Sequence, residues 1–292
     1  MRPHNLRHFS RLYSTKVFAD PARETLAGTV AHHNLYIVLR TPQPMHTLSP
    51  LLLFLRMDLQ RALIPLDGIV NLGYIEDNRA WTLSERLCRS YRTDLASHDS
   101  PDDVFDDELE EEERYDAVVF TPDRPPLHLR GVASSDIETR VPYMTSLVPP
   151  RWPPSRRFAP GEYDGPVHIY VCKDGGHGGE LLEALKEEVK RRQSQKGKKG
   201  QGWKRVVVGE VPSAHMGGDK GVTDALIFPH GEWLGKLRTE HAPAILDALS
   251  AQPFTNLKDK TRPPLLPEHW RGRMGMTMDE QRVFIDQYLK IP

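Results

Sequence analysis

The chain has 292 residues, of which 38% are hydrophobic and 27% are charged, and its formal net charge is -1. This balance is typical of a globular protein with one large domain or two modest ones, and such a small net charge gives no general attraction to nucleic acid. No apolar run in the sequence is long enough to cross a membrane, and the two cysteines, Cys88 and Cys172, are too few for a disulfide framework. A reducing compartment fits this composition.

The N-terminus is the first segment with a recognisable pattern. Its first 19 residues are basic and contain no acidic side chain. On a helix, the apolar residues of this segment cluster on one face: Leu6, Phe9, Leu12 and Tyr13. A basic, amphipathic and acid-poor terminus is typical of a mitochondrial presequence, while a disordered basic terminus is the other interpretation. We expect residues 1–19 to be a presequence that directs the chain to mitochondria, with the matrix as its destination.

The region from 20 to 147 begins with alternating and helical apolar patterns. These patterns predict, in chain order, a strand, a helix and two further strands: 33–40, 51–63, 68–74 and 115–121. The segment before the last strand, 102–113, is crowded with Asp and Glu. Like charges at this density are typical of a solvated loop, and a partner-binding acidic segment is the alternative. We therefore predict a smaller α/β region that carries an acidic loop.

A proline-rich segment, 148–160, separates this region from the C-terminal one, 161–292. Proline fixes φ and removes a backbone donor, so the segment suits an ordered connector better than a helix or a sheet interior. Beyond it, apolar periodicity predicts a strand, a helix, a basic loop, three strands and a helix that begins at Thr239: 166–172, 180–192, 193–202, 205–211, 224–229, 232–236 and 239–251. This order implies a mixed sheet with helices packed on it, as in the C-terminal part of a thioredoxin-like fold.

Two glycine-rich segments place potential metal ligands directly after predicted strands. One contains Cys172 and His177, and the other contains His215 and Asp219. Glycine lets a loop bring its backbone close to a cofactor and donate N–H groups to it. Three other histidines have no partner at ligand spacing and are expected to be ordinary: His128, His241 and His269.

These segments resemble motifs of the sucrase/ferredoxin-like family, whose members are thioredoxin-like ferredoxins, and in particular its mitochondrial altered-inheritance-of-mitochondria branch. Members carry a strand ending in Val-Cys, a later Ser-His-x-Gly-Gly-His segment and a Gly-x-Trp-x-Gly motif. This chain has Val171-Cys172, then Ser213-Ala-His-Met-Gly-Gly-Asp219, then Gly231-Glu-Trp-Leu-Gly235. The stretch from Trp270 to Met276 resembles the short Arg-Gly motif near the end of that family. The resemblance extends over residues 160–276 and implies a thioredoxin-like ferredoxin domain over 161–292.

In that family the motifs imply a [2Fe–2S] cluster held by two Cys and two His. By this resemblance Cys172 and His215 match ligand positions. The second Cys is missing, Asp219 stands in place of the second His, and His177 lies only near a ligand position. Clusters are normally held by thiolates, with two His ligands in Rieske-type centres. A mononuclear Zn²⁺ or Fe²⁺ would accept these four residues more readily, and loss of metal binding is the third alternative.

Two functional expectations follow from the resemblance. The first is a mitochondrial redox or electron-transfer protein that works through a metal centre near Cys172 and His215, with another mitochondrial protein as its partner. The second is a cofactor-free member of the family that acts as an interaction or assembly protein. The sequence has neither the Gly-x-Ser-x-Gly nor the His-Glu-x-x-His motif of hydrolases. We therefore expect a redox carrier or a non-enzymatic protein rather than a classical enzyme.

Overall fold

The computed structural model describes residues 26–44, 48–92, 112–122, 124–147, 163, 165–172, 177–212, 223–252 and 262–289. Within these residues the strands are β1 (Leu35–Thr41), β2 (Gly68–Tyr74), β3 (Tyr115–Thr121), β4 (Arg124–Val132), β5 (Val167–Cys172), β6 (Val206–Val211), β7 (Thr223–Phe228), β8 (Glu232–Leu237) and β9 (Trp270–Arg273). The helices are α1 (Pro50–Leu63), α2 (Asn78–Arg92), α3 (Ile137–Leu147), α4 (Gly178–Gln193), α5 (Lys198–Trp203), α6 (Ala242–Ala251) and α7 (Met278–Leu289). None of these helices is long and apolar enough to cross a bilayer.

The strands form one mixed sheet in the order β4-β3-β1-β2-β6-β5-β7-β8-β9. The pairs β1–β2 and β5–β6 are parallel, and the other neighbouring pairs are antiparallel. Helices pack on this sheet because each of them carries one apolar face that must be buried. The α/β class predicted from the sequence is confirmed.

The first four strands and the next four repeat one arrangement. In each set a strand, a helix and a parallel strand are followed by an antiparallel hairpin and a helix, which gives β1-α1-β2 with β3-β4-α3 and β5-α4-β6 with β7-β8-α6. The two sets join through their second strands, where Tyr74 of β2 pairs antiparallel with Glu210 of β6. The sheet therefore has an approximate two-fold axis between β2 and β6. The strand order of the second set agrees with the thioredoxin-like arrangement expected there, and the first set repeats it.

The sheet curls around a buried aromatic core. Phe120 and Phe228 are equivalent in the two halves, because each pairs in register with the first strand of its own half, at Tyr36 and His168 respectively. Their rings stack with centroids 4.0 Å apart. Tyr36 lies 5.3 Å from Phe228, and His168 lies 5.3 Å from Phe120. In a flat sheet, strands five places apart would be separated by roughly 24 Å, so these contacts require strong curvature.

Helices cover the outer, convex face of both halves. In the first half the predicted stripe of α1 is buried on β1 and β2: Leu52, Leu55, Leu59 and Leu63. In the second half α4, α6 and α7 pack on the sheet. Strand β5 shows both environments, because Ile169 and Val171 face α4 while Tyr170 and Cys172 face the aromatic core. The alternation predicted for this strand follows from its position between two cores.

The structure also corrects two local predictions. The basic loop expected at 193–202 contains most of α5, whose Trp203 ring lies 4.8 Å below the guanidinium of Arg192. This packing stabilises a short helix that has little intrinsic propensity. The helix predicted to begin at Thr239 is α6, which begins at Ala242 because a 3₁₀ turn over Thr239–His241 precedes it.

Other predictions concern parts of the chain outside the described residues. These are the presequence at 1–19 and the connector at 148–160, and the division between 20–147 and 161–292 stays a prediction. Of the acidic segment at 102–113, only Glu112 and Glu113 are described, and both are exposed.

Candidate functional site

The register of the strands places Cys172 between the two ends of the segment that contains His215. Cys172 is the last residue of β5 and pairs with Val211, the last residue of the parallel strand β6. On the other side of β5, Val171 pairs with Ala225 of β7. Neighbouring strands lie about 4.8 Å apart, so segment 213–222 leaves β6 and returns to β7 on either side of the end of β5.

The side chain of Cys172 lies inside the curled sheet. It is 5% exposed and belongs to the buried cluster that includes Tyr36 and Tyr170. Burial raises the pKa of the Tyr36 hydroxyl well above its usual value, a hydrogen bond from the Asn71 amide opposes this, and nearby Cys172 adds to it. A thiol in apolar surroundings is poorly reactive unless a cation stabilises the thiolate. Cys172 is thus a shielded thiol rather than an open nucleophile.

His177 is at the surface, where it precedes the first turn of α4. Its side chain is 60% exposed, and its Nδ1 lies 3.2 Å from Oε2 of Glu180. It lines a surface cavity of about 460 Å³ together with Lys236 and Arg238. The structure therefore places His177 in a hydrated, charged setting and Cys172 in a buried, aromatic one.

The cavity beside His177 and the segment 213–222 share one edge of the sheet. Leu237 lines the cavity and pairs with Thr223, the first residue of β7 and the one that follows this segment. The cavity therefore lies at the edge of the sheet where β7 begins and β8 ends. His215 and Asp219 themselves lie outside the described residues.

The donor types near Cys172 fit a single metal ion better than the implied [2Fe–2S] cluster. Among the described residues, no three His, Cys, Asp or Glu side chains are grouped as metal ligands. Strand β5 contributes one cysteine, Cys172. A [2Fe–2S] cluster needs four ligands that are mostly thiolates. One thiolate with imidazole and carboxylate donors suits a mononuclear Zn²⁺ or Fe²⁺ better.

Besides Cys172, the aromatic core contains a cluster of polar side chains around Ser84. The spacing of these residues in the sequence does not reveal the cluster. The hydroxyl of Ser84 lies 2.8 Å from Nε2 of His128 and 2.9 Å from Nε2 of His168. Nδ1 of His168 lies 3.3 Å from the hydroxyl of Tyr170. A hydroxyl has one proton, so Ser84 donates to one imidazole and accepts from the other. These residues come from α2, β4 and β5, which are far apart in the chain, and His128, expected not to be a metal ligand, has a structural contact here.

This Ser84 cluster holds α2 against the sheet. All four of its side chains are buried. Burial lowers the pKa of His168 well below its ordinary value, and His128 lowers it further, so His168 stays neutral at physiological pH. A neutral imidazole can both donate and accept, which the chain of hydrogen bonds requires. Residues of both halves thus bind the polar side chain of Ser84, while Trp81 of the same helix packs in the aromatic core.

Comparisons with models of known protein families, with curated proteins and with solved structures find no match for this chain. The site therefore rests on two independent features of the molecule itself. One is the set of short motifs around Cys172, His215 and Trp233. The other is the strand register that encloses Cys172 between both ends of segment 213–222.

Proposed function

We propose that this chain is a mitochondrial redox protein of the thioredoxin-like ferredoxin type, with a metal centre at Cys172 and His215. The observation that carries the proposal is the strand register. The segment containing His215 is attached at both ends beside Cys172, through Val211 on one side and Ala225 on the other. The motif resemblance and the thioredoxin-like strand order support the same assignment. Its electron partner would be another mitochondrial protein.

In this proposal Cys172 provides a thiolate and His215 an imidazole. Asp219 and His177 are the further donors nearby in the sequence, and His177 would exchange its contact with Glu180 for the metal. A bound iron supplies one-electron redox chemistry, whereas a bound zinc is not redox active. The aromatic side chains around Cys172 exclude water from the thiolate, and a dry environment strengthens its electrostatic attraction to a cation.

A cofactor-free interaction protein is the second candidate, and two observations favour it. Cys172 is packed among aromatic side chains, and His177 already has a carboxylate partner at the surface. Two of the expected ligands are thereby engaged without a metal. The surface cavity with Lys236 and Arg238 would then serve as part of a contact surface for a partner.

Metal analysis of anaerobically purified protein distinguishes the two candidates. We expect about one metal ion per chain, lost in Cys172→Ser because a neutral hydroxyl is a far poorer ligand than a thiolate, and reduced in His215→Ala. Asp219→His should raise the metal content because it adds an imidazole. Cys88→Ser is the matched control and should keep the metal. Visible and EPR spectra separate a cluster from a single ion.

The metal proposal is overturned if the wild-type protein contains no metal and Asp219→His gains none. Such a result would leave the interaction protein as the function. Retention of metal in Cys172→Ser would show instead that the centre lies elsewhere in the chain.

The mitochondrial location is tested separately with residues 1–19. Fused to a fluorescent reporter, this segment should carry it into mitochondria, because the inner-membrane potential contributes about 2.3 kcal/mol per positive charge at 100 mV. A variant with Arg2, Arg7, Arg11 and Lys16 changed to Gln should leave the reporter in the cytosol. A cytosolic signal from the unchanged segment would contradict the presequence.

A further inference from the structure

The outer face of α1 is apolar although it faces water. Opposite its buried leucines, five large hydrophobic side chains are 41% to 59% exposed. They are called the α1 stripe here: Leu51, Leu53, Phe54, Met57 and Ile64, the last directly after the helix. A helix that covers a core normally presents charged or polar residues to solvent. The α1 stripe departs from that rule, although the same outer face also carries the ion pair between Asp58 and Arg61.

The second half of the molecule provides an internal comparison. Helix α4 is equivalent to α1, because each connects the first strand of its half to the parallel second strand. Both helices bury leucines on the sheet. The exposed face of α4 is charged: Glu180, Glu183, Glu187, Lys190 and Arg191. The fold therefore does not need apolar residues at this outer position, and a contiguous exposed apolar patch marks an interaction site.

We propose that the α1 stripe is the contact surface between two copies of this chain. The stripe is self-complementary about its midpoint between Met57 and Asp58. When two copies of α1 pack antiparallel about a two-fold axis there, Leu51 of one copy lies at the same level along the helix as Ile64 of the other. In the same register, Phe54 faces Arg61 of the second copy. A guanidinium over an aromatic ring is attractive, so Arg61, which pairs with Asp58 of its own helix at 2.8 Å, gains a second favourable contact across the axis.

The area that two α1 stripes can bury is small for a protein interface. A helix of 14 residues is about 21 Å long, and packing two such faces buries roughly 1,000 Å² in total. This area is at the lower limit for a specific interface, so we expect a weak and reversible dimer. The α1 stripe lies on the opposite face of the sheet from the aromatic core and Cys172, so the dimer is independent of the metal proposal.

Sedimentation velocity of the full chain between about 1 and 200 µM tests this dimer. We expect a reversible monomer–dimer equilibrium in the wild type. Phe54→Arg should raise the dissociation constant at least tenfold, because the introduced guanidinium would face Arg61 of the other copy. Met57→Glu should do the same, since the two introduced carboxylates would face each other next to the axis. Lys190→Glu, on the charged face of α4, is the control and should dimerise like the wild type. Circular dichroism melts confirm that each variant is folded.

A double variant tests the antiparallel register. Phe54→Arg combined with Arg61→Glu should restore most of the dimer, because opposite charges then face each other across the axis. Positions seven apart on one helix are two turns apart and do not contact each other, so the rescue acts between copies. Failure of the rescue overturns this register.

Two further results would overturn the proposal as a whole. A wild type that is monomeric at 200 µM, or a dimer that Phe54→Arg leaves unchanged, excludes the α1 stripe as the contact between copies. Binding of a monomeric wild type to anionic phospholipid vesicles, abolished by Phe54→Arg, would assign the stripe to a membrane surface instead.

Discussion

Replacing Glu232 with alanine should lower the free energy of unfolding by about 3 to 5 kcal/mol, because it leaves two buried guanidinium groups without their counter-charge. Glu232 lies in β8 and is fully buried. Its Oε1 accepts hydrogen bonds from Arg273 at 2.6 Å and from Arg262 at 3.1 Å. Its Oε2 accepts from the backbone N–H of Leu265 at 3.0 Å. Urea denaturation followed by circular dichroism measures the loss.

Glu187→Ala is the matched control for this variant. Glu187 is an exposed glutamate on α4, so its removal should leave the urea midpoint unchanged. If Glu232→Ala behaves like the control, the carboxylate does not hold Arg262 and Arg273 in the folded protein.

The carboxylate of Glu232 also makes the free energy of unfolding depend on pH. Burial opposes ionisation of Glu232, but Arg273 and Arg262 together outweigh it and hold the pKa of this carboxyl below its usual value. Because the folded pKa is depressed, the stabilisation is complete at neutral pH and is lost as the pH falls below the ordinary glutamate range near about 4. The difference between wild type and Glu232→Ala should therefore shrink on acidification. A difference that stays constant down to the acid transition would contradict the ion pairing.

Removing the ring of Phe120 or of Phe228 should lower the free energy of unfolding about as much as removing Glu232 does. Phe120→Ala and Phe228→Ala are each expected to lower the free energy of unfolding by about 3 to 5 kcal/mol, because both rings are buried and the gap cannot close easily. The double variant should cost less than the sum, by about 0.5 to 1.5 kcal/mol, since the two rings stack on each other. Equilibrium unfolding of the four proteins gives this coupling.

Phe54→Ala is the control for ring removal. Phe54 is an exposed phenylalanine on α1, so at protein concentrations below the dimer range its loss should change stability little. Strict additivity of Phe120→Ala and Phe228→Ala would mean that the halves do not meet at these rings, and the curvature of the sheet would then be wrong.

Several elements with one buried face were predicted from the sequence, although α3 and α7, which also bury an apolar face, were not. The leucines of α1 recur at helical spacing because one side of the helix packs on the sheet. Strands β2 and β3 begin and end where their apolar patterns do. Such elements carry their own signal, because burial on one side leaves a period in the sequence whatever the partner is.

Elements that are stabilised by distant polar partners were missed. Helix α2 turns Ser84 and Glu85 inward, where they meet His128 and Arg130 of β4. Strand β9 has four residues, and its Arg273 is buried against Glu232. Polar and charged residues at buried positions interrupt the apolar pattern of such elements, so they are harder to recognise in the sequence.

For the candidate site, the sequence by itself determined that potential metal ligands lie at the end of β5 and in the glycine-rich segments, whereas only the structure decided that Cys172 faces the aromatic core. Only the tertiary structure decided that both ends of segment 213–222 lie beside Cys172, and that His177 is at the surface with Glu180. It also decided that two similar halves join at Tyr74 and Glu210 and curl until Phe120 meets Phe228. The physical reason is that register and curvature depend on pairs of residues far apart in the chain, whereas periodicity depends on the face that each segment buries.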